Sequence, residues 1–388
     1  MIGSTSENMD KRKVLFYQGR RSGCDFYRIL QPARALLFQD DMHCAYSSGL
    51  EPEELQIWVD KSDAIVSMQI ENEKFLDWME GEQQNGRKMF FDYDDDPFSV
   101  SPFNPSYEKL GTKEVKFHRE DGSLLGEWRD GVDGFNLAAN IERANVFKRA
   151  FKQADLITTT NQYLASKLAG HAGSFWNRGK KVKVIRNMLN LKIWKPLPLV
   201  KDDKVRIIYQ GGWSHFKDWQ IVRPALKKIM DEHKNVVLLL MGQTYEGSLM
   251  DLDKDRIERY DWMDVEAYPY MFRTLNADIG ICPLEKSEFN LCKSELKWEE
   301  YSALEIPSIC SQYGPYSIAV DHGTTGFLAK NEKEWTEYLD SLIRDKSLRI
   351  DMGKQARKRI EERYDISKNL NLYVDAFRAG FGVELVVV

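Results

Sequence analysis

Cysteine is scarce in this sequence and follows no pattern. The 388 residues include five cysteines, an odd number, and no two of them form a Cys-x-x-Cys pair. That spacing argues against a disulfide framework and offers no paired thiolates for a structural zinc site. Reduced thiols are typical of the cytoplasm, so we expect a cytoplasmic protein without a metal site. Three of the cysteines fall in or beside predicted core segments, namely Cys282, Cys292 and Cys310.

Long apolar runs are missing as well. No apolar stretch approaches the ~20 residues that a helix needs to cross a bilayer, so we expect no stable membrane insertion. The first ten residues are polar and lack the apolar core of a signal peptide. The apolar stretch at positions 383–388 is far too short to span a membrane.

Three common functional signatures are also absent. The loop at positions 19–25, after the first predicted strand, is not Gly-x-Gly-x-x-Gly, which disfavours a dinucleotide site. The six histidines are scattered, and no Ser/His/Asp triad is visible. The net charge is −5, and the basic clusters at 180–183 and 354–359 lack interleaved aromatic residues. The composition therefore does not suggest a general nucleic-acid binder.

The sequence does contain enough apolar material for two cores. Hydrophobic residues make up 43% of the chain, and 388 residues exceed the usual size of one domain. Buried strands alternate with helices, a succession typical of parallel sheets with right-handed crossovers. In the first series we predict strands at 13–19, 64–70, 88–94, 156–160 and 181–187, and helices at 26–41, 75–82, 136–153 and 162–169. The helix at 136–153 is expected to turn four side chains inward, those of Ile141, Ala144, Phe147 and Phe151.

A second series follows a proline-containing linker at 194–204. Its predicted strands span 205–212, 236–242, 256–260, 277–284 and 307–311, and its helices span 218–233, 266–275, 332–344, 348–363 and 366–377. We therefore predict an α/β protein of two Rossmann-like, doubly wound domains that face each other across a cleft. The first domain covers residues 1–198 with an inserted hairpin near 114–128, the second covers residues 199–364, and residues 365–388 form a C-terminal helix and tail.

The strongest functional signal is a helix predicted between positions 294 and 306. Leu296, Glu300 and Leu304 fall four residues apart and therefore share one helix face. Glu300 thus lies on the apolar stripe, and a carboxylate buried there needs a partner. Ser294 can serve as the N-cap of this helix.

Two lysines flank the start of the same helix. Lys293 and Lys297 add positive charge where free backbone N–H groups already favour an anion. A helix start with two lysines, and a carboxylate one turn deeper, suits a sugar nucleotide. The diphosphate would lie at the helix start and the ribose hydroxyls near the carboxylate. Taken alone, the same pattern also fits an amphipathic helix with a solvated charged rim.

A second candidate segment follows the first strand of the second domain. Gly211 and Gly212 let the backbone approach a ligand closely. Ser214, His215 and Lys217 come next, and Lys217 supplies a cation at the start of the following helix. The alternative interpretation is a tight turn with an exposed lysine.

A third segment, positions 92–96, carries four aspartates in five residues. Strand alternation predicts Asp92, Asp94 and Asp96 on one face and Asp95 on the other. The run resembles the Asp-x-Asp metal site of metal-dependent glycosyltransferases that have a single nucleotide-binding domain. The two α/β halves predicted for this chain disfavour that interpretation. We prefer a role for these carboxylates in holding acceptor or sugar hydroxyls, with structural capping as the alternative.

These segments resemble the motifs of the GT-B glycosyltransferases, in particular the large retaining group known as glycosyl transferases group 1, or family four. That family has a glycine-rich turn after the first strand of its second domain and a lysine six residues later, as Gly211 and Lys217 here. Its Glu-x7-Glu motif ends in a glutamate seven residues before a proline, as Glu300 and Pro307 here. The resemblance implies that Glu300 contacts the donor ribose and that Lys217 contacts the diphosphate.

Two departures set this chain apart from the family pattern. Cys292 stands where the first glutamate of the motif would contact the transferred sugar, and Glu305 replaces a usual glycine. The run Asn290-x-x-Lys-Ser-x-x-Lys resembles a variant in phage and bacterial members. In that variant Lys293, Ser294 and the helix start take over the phosphate contacts.

The resemblance implies a metal-independent transferase that moves a sugar from a nucleotide-diphosphate sugar to a hydroxyl, with retention. The second domain would bind the donor, the first domain the acceptor, and the C-terminal helices would cross back to the first domain. The expected catalytic residues are Lys217, Lys293, Glu300, Asp94 and Asp95. The expected donor-binding residues are Gly211, Gly212, Ser214, His215, Gly242, Trp262, Met263, Asn290, Ser294 and Lys297.

Several alternatives stay open at the level of the sequence. The donor can be a UDP- or a GDP-sugar, and the acceptor a glycan, a lipid-linked molecule or a nucleic-acid base. A phage-type transferase acting on modified DNA bases, a non-catalytic nucleotide-sugar-binding protein and a sugar-nucleotide epimerase remain alternatives. No cofactor is expected beyond the nucleotide sugar itself, and the oligomeric state is left undecided.

Overall fold

Two parallel sheets of six strands each form the framework of the molecule. The structure is a computed structural model that describes residues 12–19, 22–37, 42–48, 52–70, 72–119, 122–172, 181–242, 249 and 251–383. Within these ranges, no helix is both long and apolar enough to cross a membrane.

The first sheet lies in the N-terminal half of the chain. The strands of this half are β1 Arg12–Gln18, β2 Met42–Ser48, β3 Ala64–Met68, β4 Lys88–Tyr93, β5 Val115–His118, β6 Leu124–Trp128, β7 Leu156–Thr159 and β8 Val182–Val184. Six of them pair in the order β2-β1-β3-β4-β7-β8, all parallel. The central strands β3, β4 and β7 are buried along nearly their whole length, as is typical of a parallel sheet covered on both faces.

The helices of this half are α1 Gly23–Asp25, α2 Gln31–Leu36, α3 Pro52–Asp60, α4 Glu73–Gln84, α5 Tyr107–Leu110, α6 Leu137–Gln153 and α7 Gln162–Ala169. A π-helical turn, Phe26–Leu30, joins α1 to α2. Asparagine side chains cap α4, α6 and α7, each accepting a backbone N–H three residues on.

The second sheet has the strand order β11-β10-β9-β12-β13-β14, again all parallel. Its strands are β9 Val205–Gly211, β10 Val236–Gly242, β11 Ile257–Tyr260, β12 Ile279–Cys282, β13 Ser308–Ser311 and β14 Phe327–Ala329. The helices are α8 Phe216–Glu232, α9 Tyr268–Phe272, α10 Glu288–Leu291, α11 Leu296–Ala303, α12 Tyr316–Ala319, α13 Glu332–Arg344, α14 Lys346–Arg363 and α15 Asn371–Gly380. Single 3₁₀ turns occur at Trp213–His215, Lys254–Arg256 and Ile366–Lys368.

The predicted hairpin is present, and it belongs to a longer insertion between β4 and α6. Strands β5 and β6 pair antiparallel, and Gly122 of the turn has φ +81°, which favours glycine. The insertion carries its own small aromatic core, in which Tyr107 and Phe135 stack. Phe289 of the second domain packs into that core, so the insertion also contacts the second domain.

The last helix, α15, packs on the first sheet. Phe377 lies 5.8 Å from Phe16 and 5.4 Å from Phe90, measured between ring centroids. Gly380 permits this contact, because a Cβ there would lie 2.6 Å from the Phe90 ring. The carboxyl ends of the two sheets meet at a cleft between the first and second domains.

Some predicted elements were wrong in their limits. The helix predicted at 26–41 begins at Gly23, contains a π turn and ends at Leu36. The helix predicted at 266–275 is the single turn and a half of α9, and the helix predicted at 366–377 is divided into a 3₁₀ turn and α15. Ile141 was predicted to face inward, but it is 44% exposed.

Six elements were not predicted at all, and three of them are the short helices α5, α10 and α12. Strand β2 and helix α3 lie between the first two predicted strands, and β14 follows β13. Helix α3 packs Val59 and Leu55 on one core, but Ile57 and Trp58 are exposed, so its apolar residues mark no single face in the sequence. Strand β14 has three residues, fewer than any reliable alternation needs.

Candidate active site

Glu300 lies at the centre of a hydrogen-bond network that joins the two domains. It sits on α11 and is 3% exposed. Tyr27 of the first domain donates to its Oε1 atom at 2.5 Å, and Tyr268 donates to Oε2 at 2.9 Å. Gln210, at the end of β9, also donates to Oε2. Two tyrosine hydroxyls and one side-chain amide thus provide the hydrogen bonds that a buried carboxylate requires.

The carboxylate of Glu300 can accept hydrogen bonds from a ligand. Burial raises the pKa of Glu300, and the hydrogen bonds from Tyr27, Gln210 and Tyr268 oppose that rise. The carboxylate already accepts hydrogen bonds from two hydroxyl groups. A ligand that presents a pair of hydroxyls can make the same bonds in exchange.

One turn before Glu300, Lys297 begins a chain of polar contacts. Its Nζ atom donates to Nε2 of His215 at 3.1 Å, and Nδ1 of that ring donates to Asp218 at 2.7 Å. Burial lowers the pKa of Lys297 to about 8 and that of His215 to about 4. His215 is thus a neutral ring that accepts from the lysine. Burial tends to raise the pKa of Asp218, but the interactions with His215, Lys297 and the backbone N–H of Glu285 together outweigh it, and the pKa is lowered.

Asp218 also organises the loop on the far side of the site. Its Oδ1 atom accepts from the backbone N–H of Glu285 at 2.7 Å and from Nδ2 of Asn290 at 3.1 Å. The aspartate is 2% exposed, and Asn290 is 5% exposed. Asn290 therefore positions the loop that carries Lys293, with its own amide nitrogen already bonded.

Lys217 lies at the first turn of α8, against an aromatic ring of the other domain. Its Nζ atom is 4.2 Å from the ring centroid of Phe103, which belongs to the insertion. Ser214 is exposed beside it, and a Cβ added at Gly212 would meet nothing within 4 Å. This corner of the cleft is open in front of the glycine turn.

The ends of β9 and β10 approach each other closely. Gly242 has φ +98°, and a Cβ there would lie 2.6 Å from the carbonyl oxygen of Gly211. Only glycine fits this position. Trp262 lies beside Gly242 and is 65% exposed, and the neighbouring Met263 packs against the core of the second domain. A large exposed ring next to a bare backbone offers a flat surface for a planar group.

Lys293 bridges the domains at the other side of the cleft. Its Nζ atom is 3.0 Å from Oδ2 of Asp95 and 4.6 Å from the ring centroid of Phe289. Burial tends to lower the pKa of Lys293, but the carboxylate of Asp95 outweighs it and the pKa is raised. The amide of Asn161 donates to the backbone carbonyl of Lys293 at 2.7 Å. The cation is therefore held in place from the first domain.

Cys292 occupies the position where the resemblance calls for a glutamate. Its side chain is 0% exposed and packs into the core of the first domain. Burial raises the pKa of its thiol to about 12, so it stays neutral. The other predicted core cysteines, Cys282 and Cys310, are buried in the second domain, which confirms that prediction.

Ser294 does not cap its helix as predicted. The N-cap residue of α11 is Glu295, and it makes no capping bond. The Ser294 hydroxyl instead accepts from Nδ2 of Asn187, in the first domain, at 2.9 Å. The serine thus joins the domains at the helix start, and a capping pattern in sequence could not distinguish these two uses.

The acidic run divides into structural and cleft-facing members. Strand β4 ends at Tyr93, so the predicted alternation stops there. Asp92 is 1% exposed and forms a bidentate pair with Arg28, at 2.8 and 2.7 Å. Asp96 caps the following turn and pairs with Lys167 at 2.8 Å. These two aspartates form ion pairs within the first domain and have a structural role.

Asp94 and Asp95 lie at the cleft edge of the same sheet. Gln69, whose φ of +30° is unusual for a non-glycine residue, donates to Asp94 at 3.4 Å. Burial, with Asp95 beside it, raises the pKa of Asp94 to about 6. A carboxylate with that pKa accepts a hydrogen bond from a hydroxyl at neutral pH and can take up a proton below about pH 6.

The whole chain resembles solved glycosyltransferase structures. Anabaena Alr3699/HepE, solved in complex with UDP and glucose, aligns over 94% of this chain and 99% of its own with a TM-score of 0.59 and 14% identity. Sucrose-phosphate synthase from Thermosynechococcus elongatus aligns over 96% of this chain and 100% of its own with a TM-score of 0.63 and 15% identity. The chain has the GT-B fold. The predicted α/β architecture, with two doubly wound domains, is thereby confirmed.

Sequence comparison agrees for the second domain of this GT-B chain. Residues 193–359 match the family model described as Glycosyl transferases group 1. Spore coat protein SA of Bacillus subtilis is 19% identical over 237 residues, which cover 54% of this chain and 60% of the relative. Trehalose synthase of Thermococcus litoralis is 32% identical over 87 residues, 22% of this chain and 20% of the relative. The chain thus spans three fifths or less of the length of these curated relatives.

Sequence reasoning missed several residues that complete the GT-B cleft. Tyr27, Tyr268 and Gln210 surround Glu300, yet they lie 273, 32 and 90 positions away from it. No spacing rule connects such distant residues. Phe103 was also missed, since an aromatic residue in a loop carries no signal by itself.

Proposed function

We propose that this protein transfers a sugar from a nucleotide-diphosphate sugar to a hydroxyl acceptor, with retention and without a metal ion. One observation carries the proposal: Glu300, Lys297, Lys217 and Lys293 all line the cleft edge of the second domain. Opposite them lies the acidic edge of the first domain. The UDP found with Anabaena HepE supports a UDP-sugar as the first donor to test.

The second domain would hold the donor. Glu300 would accept hydrogen bonds from the two ribose hydroxyls, in exchange for those of Tyr27 and Tyr268. The base would lie against Trp262, beside the bare backbone at Gly242. The diphosphate would lie between the lysines at the starts of α8 and α11, where the surrounding N–H groups also favour an anion.

The lysines would supply the electrostatic part of catalysis. As the bond between the anomeric carbon and the diphosphate oxygen breaks, negative charge grows on the leaving group. Lys217, Lys293 and Lys297 would stabilise that charge from fixed positions, which does not require a metal. Lys293 would exchange Asp95 for a phosphate oxygen.

The first domain would present the acceptor. Asp94 would accept a hydrogen bond from the acceptor hydroxyl and orient its oxygen toward the anomeric carbon. In a retaining reaction this oxygen attacks from the leaving-group side, and its proton passes to the departing diphosphate oxygen. The products are then the glycosylated acceptor and a nucleoside diphosphate.

A non-catalytic nucleotide-sugar-binding protein is the second candidate. The burial of Cys292 in the first-domain core favours it, because the carboxylate that the family uses on the sugar is absent. The two candidates share the donor site and differ in turnover.

A nucleotide-sugar panel tests the proposal. UDP, GDP and their hexose conjugates are titrated by calorimetry, and slow hydrolysis is followed as release of the nucleoside diphosphate. We expect saturable binding of one nucleotide family with measurable release. Binding without release, even with a mixed-acceptor library, would support the non-catalytic candidate, and no binding of any nucleotide would refute both.

A further inference from the structure

A cavity of about 320 Å³ lies where the two domains are joined. The segment that leads into the second domain, 190–193, and the segment that returns to the first, 366–370, both contribute to its wall. The two crossings are also bonded to each other. The backbone N–H of Leu189 donates to Tyr364 at 2.8 Å, and that of Ile366 donates to Leu189 at 3.0 Å. A molecule bound in this hinge cavity would therefore contact both crossings at once.

The size and the apolar wall of the hinge cavity suit a small molecule with an apolar body. Ligand pockets measure ~300–1,000 Å³, so the cavity lies at the lower end of that range. Its apolar wall consists of five side chains from the π turn, helix α2 and the two crossings: Phe26, Ala35, Ile193, Ile366 and Leu370. Apolar surface that faces such a space is removed from water when an apolar ligand fills it.

The polar part of the lining is positively charged. It consists of Gln31, Arg34, Asn190, Lys192 and Ser367, two cations without a carboxylate. Arg34 pairs with Glu266 of the second domain at 2.8 Å. Lys192 is exposed, and its ammonium forms no ion pair or hydrogen bond with any residue that the structure describes. Although the chain has a net charge of −5, this cavity therefore offers an unpaired cation to an anionic ligand.

Two side-chain amides hold the polar edge of the hinge cavity in place. Nε2 of Gln31, a buried residue of α2, donates to the carbonyl of Met188 at 2.7 Å, and its Oε1 accepts from the backbone N–H of Asn190 at 3.1 Å. Oδ1 of Asn190 in turn accepts from the backbone N–H of Lys192 at 3.1 Å. The backbone that carries the lysine is thus fixed against α2 before any ligand arrives, which lowers the cost of binding.

We propose that the hinge cavity binds a small amphipathic anion, with its apolar body against Phe26 and Ile366 and its carboxylate or phosphate head group at Lys192. Such a ligand would hold both crossings against α2 and thereby fix the relative position of the domains. The inference does not depend on the proposed function, because the cavity shares no lining residue with the donor and acceptor groups of the cleft.

The π turn connects the hinge cavity to the candidate active site. Phe26 lines the cavity, and the next residue, Tyr27, donates to Glu300. The two aromatic rings pack edge to face with their centroids 5.1 Å apart. Turns of this type are frequent at functional sites. A ligand that immobilises Phe26 would therefore also favour the contact between Tyr27 and Glu300.

Calorimetry with four small probes tests the chemical class of the ligand. Octyl phosphate and octanoate carry an apolar chain and an anion, 1-octanol lacks the charge, and inorganic phosphate lacks the chain. Each buried methylene contributes a factor of about four in affinity, so inorganic phosphate should bind more than roughly a hundredfold more weakly than octyl phosphate. An ion pair with an exposed lysine contributes less, so 1-octanol should bind roughly two- to fivefold more weakly. The tighter of the two amphipathic anions identifies the head group.

Substitutions in the lining test where the probes bind. Ala35→Trp fills the cavity and should abolish binding of octyl phosphate. Lys192→Glu replaces attraction by repulsion and should weaken it roughly fourfold or more. Lys195→Glu is the matched control, since Lys195 is exposed on the same segment but lies outside the lining, and it should bind like wild type. If Ala35→Trp does not fold, Lys192→Glu still locates the site, because it changes an exposed residue.

Hydrogen exchange tests the effect on the hinge. Saturating octyl phosphate should slow amide exchange in segments 189–194 and 364–370 of wild type, and it should leave exchange in Ala35→Trp unchanged. Three results would overturn the inference. The first is that neither amphipathic anion binds wild type, or that 1-octanol or inorganic phosphate binds as tightly. The second is that Lys192→Glu binds octyl phosphate like wild type. The third is that exchange slows only outside the two segments.

Discussion

The hydroxyl of Tyr27, in the first domain, donates a hydrogen bond of 2.5 Å to the carboxylate of Glu300, in the second. Both residues are buried, and they are 273 positions apart in the chain. The bond therefore couples the relative position of the domains to the group that would hold the donor ribose. A ligand hydroxyl that replaces the phenol would release this contact between the domains.

Replacing Tyr27 by phenylalanine should separate stability from binding. The substitution removes one of three donors to a buried carboxylate, so we expect the free energy of unfolding to fall by about 1.5–3 kcal/mol. Nucleotide affinity should be kept, because the ribose would supply the missing hydroxyl. Chemical denaturation and calorimetry measure the two quantities.

Tyr17→Phe is the matched control for this experiment. Tyr17 belongs to the same domain, and its hydroxyl bonds to no described residue. Its loss should leave stability within a few tenths of a kcal/mol. Equal stability losses in the two variants, or a loss of nucleotide binding in Tyr27→Phe, would contradict the exchange of hydroxyls at Glu300.

The elements that sequence could predict are those with a strong local pattern. Strand β10 is a run of buried apolar residues and was predicted with the limits it has, 236–242. The place of Glu300 on the buried face of its helix also followed from spacing, since Leu296 and Leu304 flank it at four residues. That buried carboxylate demanded a partner, but spacing could not say that the partners would be Tyr27, Tyr268 and Gln210.

The remaining features depend on contacts between distant segments. The burial of Cys292 in the core of the other domain follows from how the segment 288–294 docks and not from its sequence. Ser294 satisfies every local rule for an N-cap and still bonds to Asn187 instead.

The pKa of Lys297 leads to a prediction about pH. Burial lowers it to about 8, so the free protein loses this positive charge as the pH rises through about 8. If the ammonium attracts the diphosphate, nucleotide affinity should be constant below that pH and fall above it. Calorimetric titrations at a series of pH values measure the dependence.

Lys297→Arg is the variant that checks the assignment. A guanidinium stays charged through this range, so the decline near pH 8 should disappear. A decline that persists unchanged in Lys297→Arg would show that another group titrates and that Lys297 does not contact the phosphate.

Glu299 yields a prediction about stability. It is 0% exposed, and neither carboxylate oxygen bonds to any described residue. Burial, with Glu295 and Glu300 nearby, raises its pKa well above the ordinary value. We expect Glu299→Met, which is apolar and unbranched, to stabilise the protein by about 1–3 kcal/mol at neutral pH.

The sign of the pH dependence follows from the same shift. The pKa of Glu299 is higher in the folded than in the unfolded protein. Its titration therefore leaves the free energy of unfolding unchanged below the unfolded pKa of about 4.3 and lowers that free energy as the pH rises above it. The stabilisation by Glu299→Met should therefore be smaller near pH 4 than near pH 7. A stabilisation that is equal at both pH values would mean that the carboxylate is ionised and solvated.

The most direct test of the account is turnover of a nucleotide sugar in EDTA, by wild type and by Lys217→Ala. Lys228→Ala, on the exposed face of the same helix, serves as the control. We predict metal-free release of nucleoside diphosphate by wild type and by the control. Lys217→Ala should lose transition-state stabilisation on the order of 2–4 kcal/mol, a decrease in kcat of roughly 30-fold to 10³-fold. Release that requires a divalent cation, or that is unchanged in Lys217→Ala, would contradict lysine stabilisation of the leaving diphosphate.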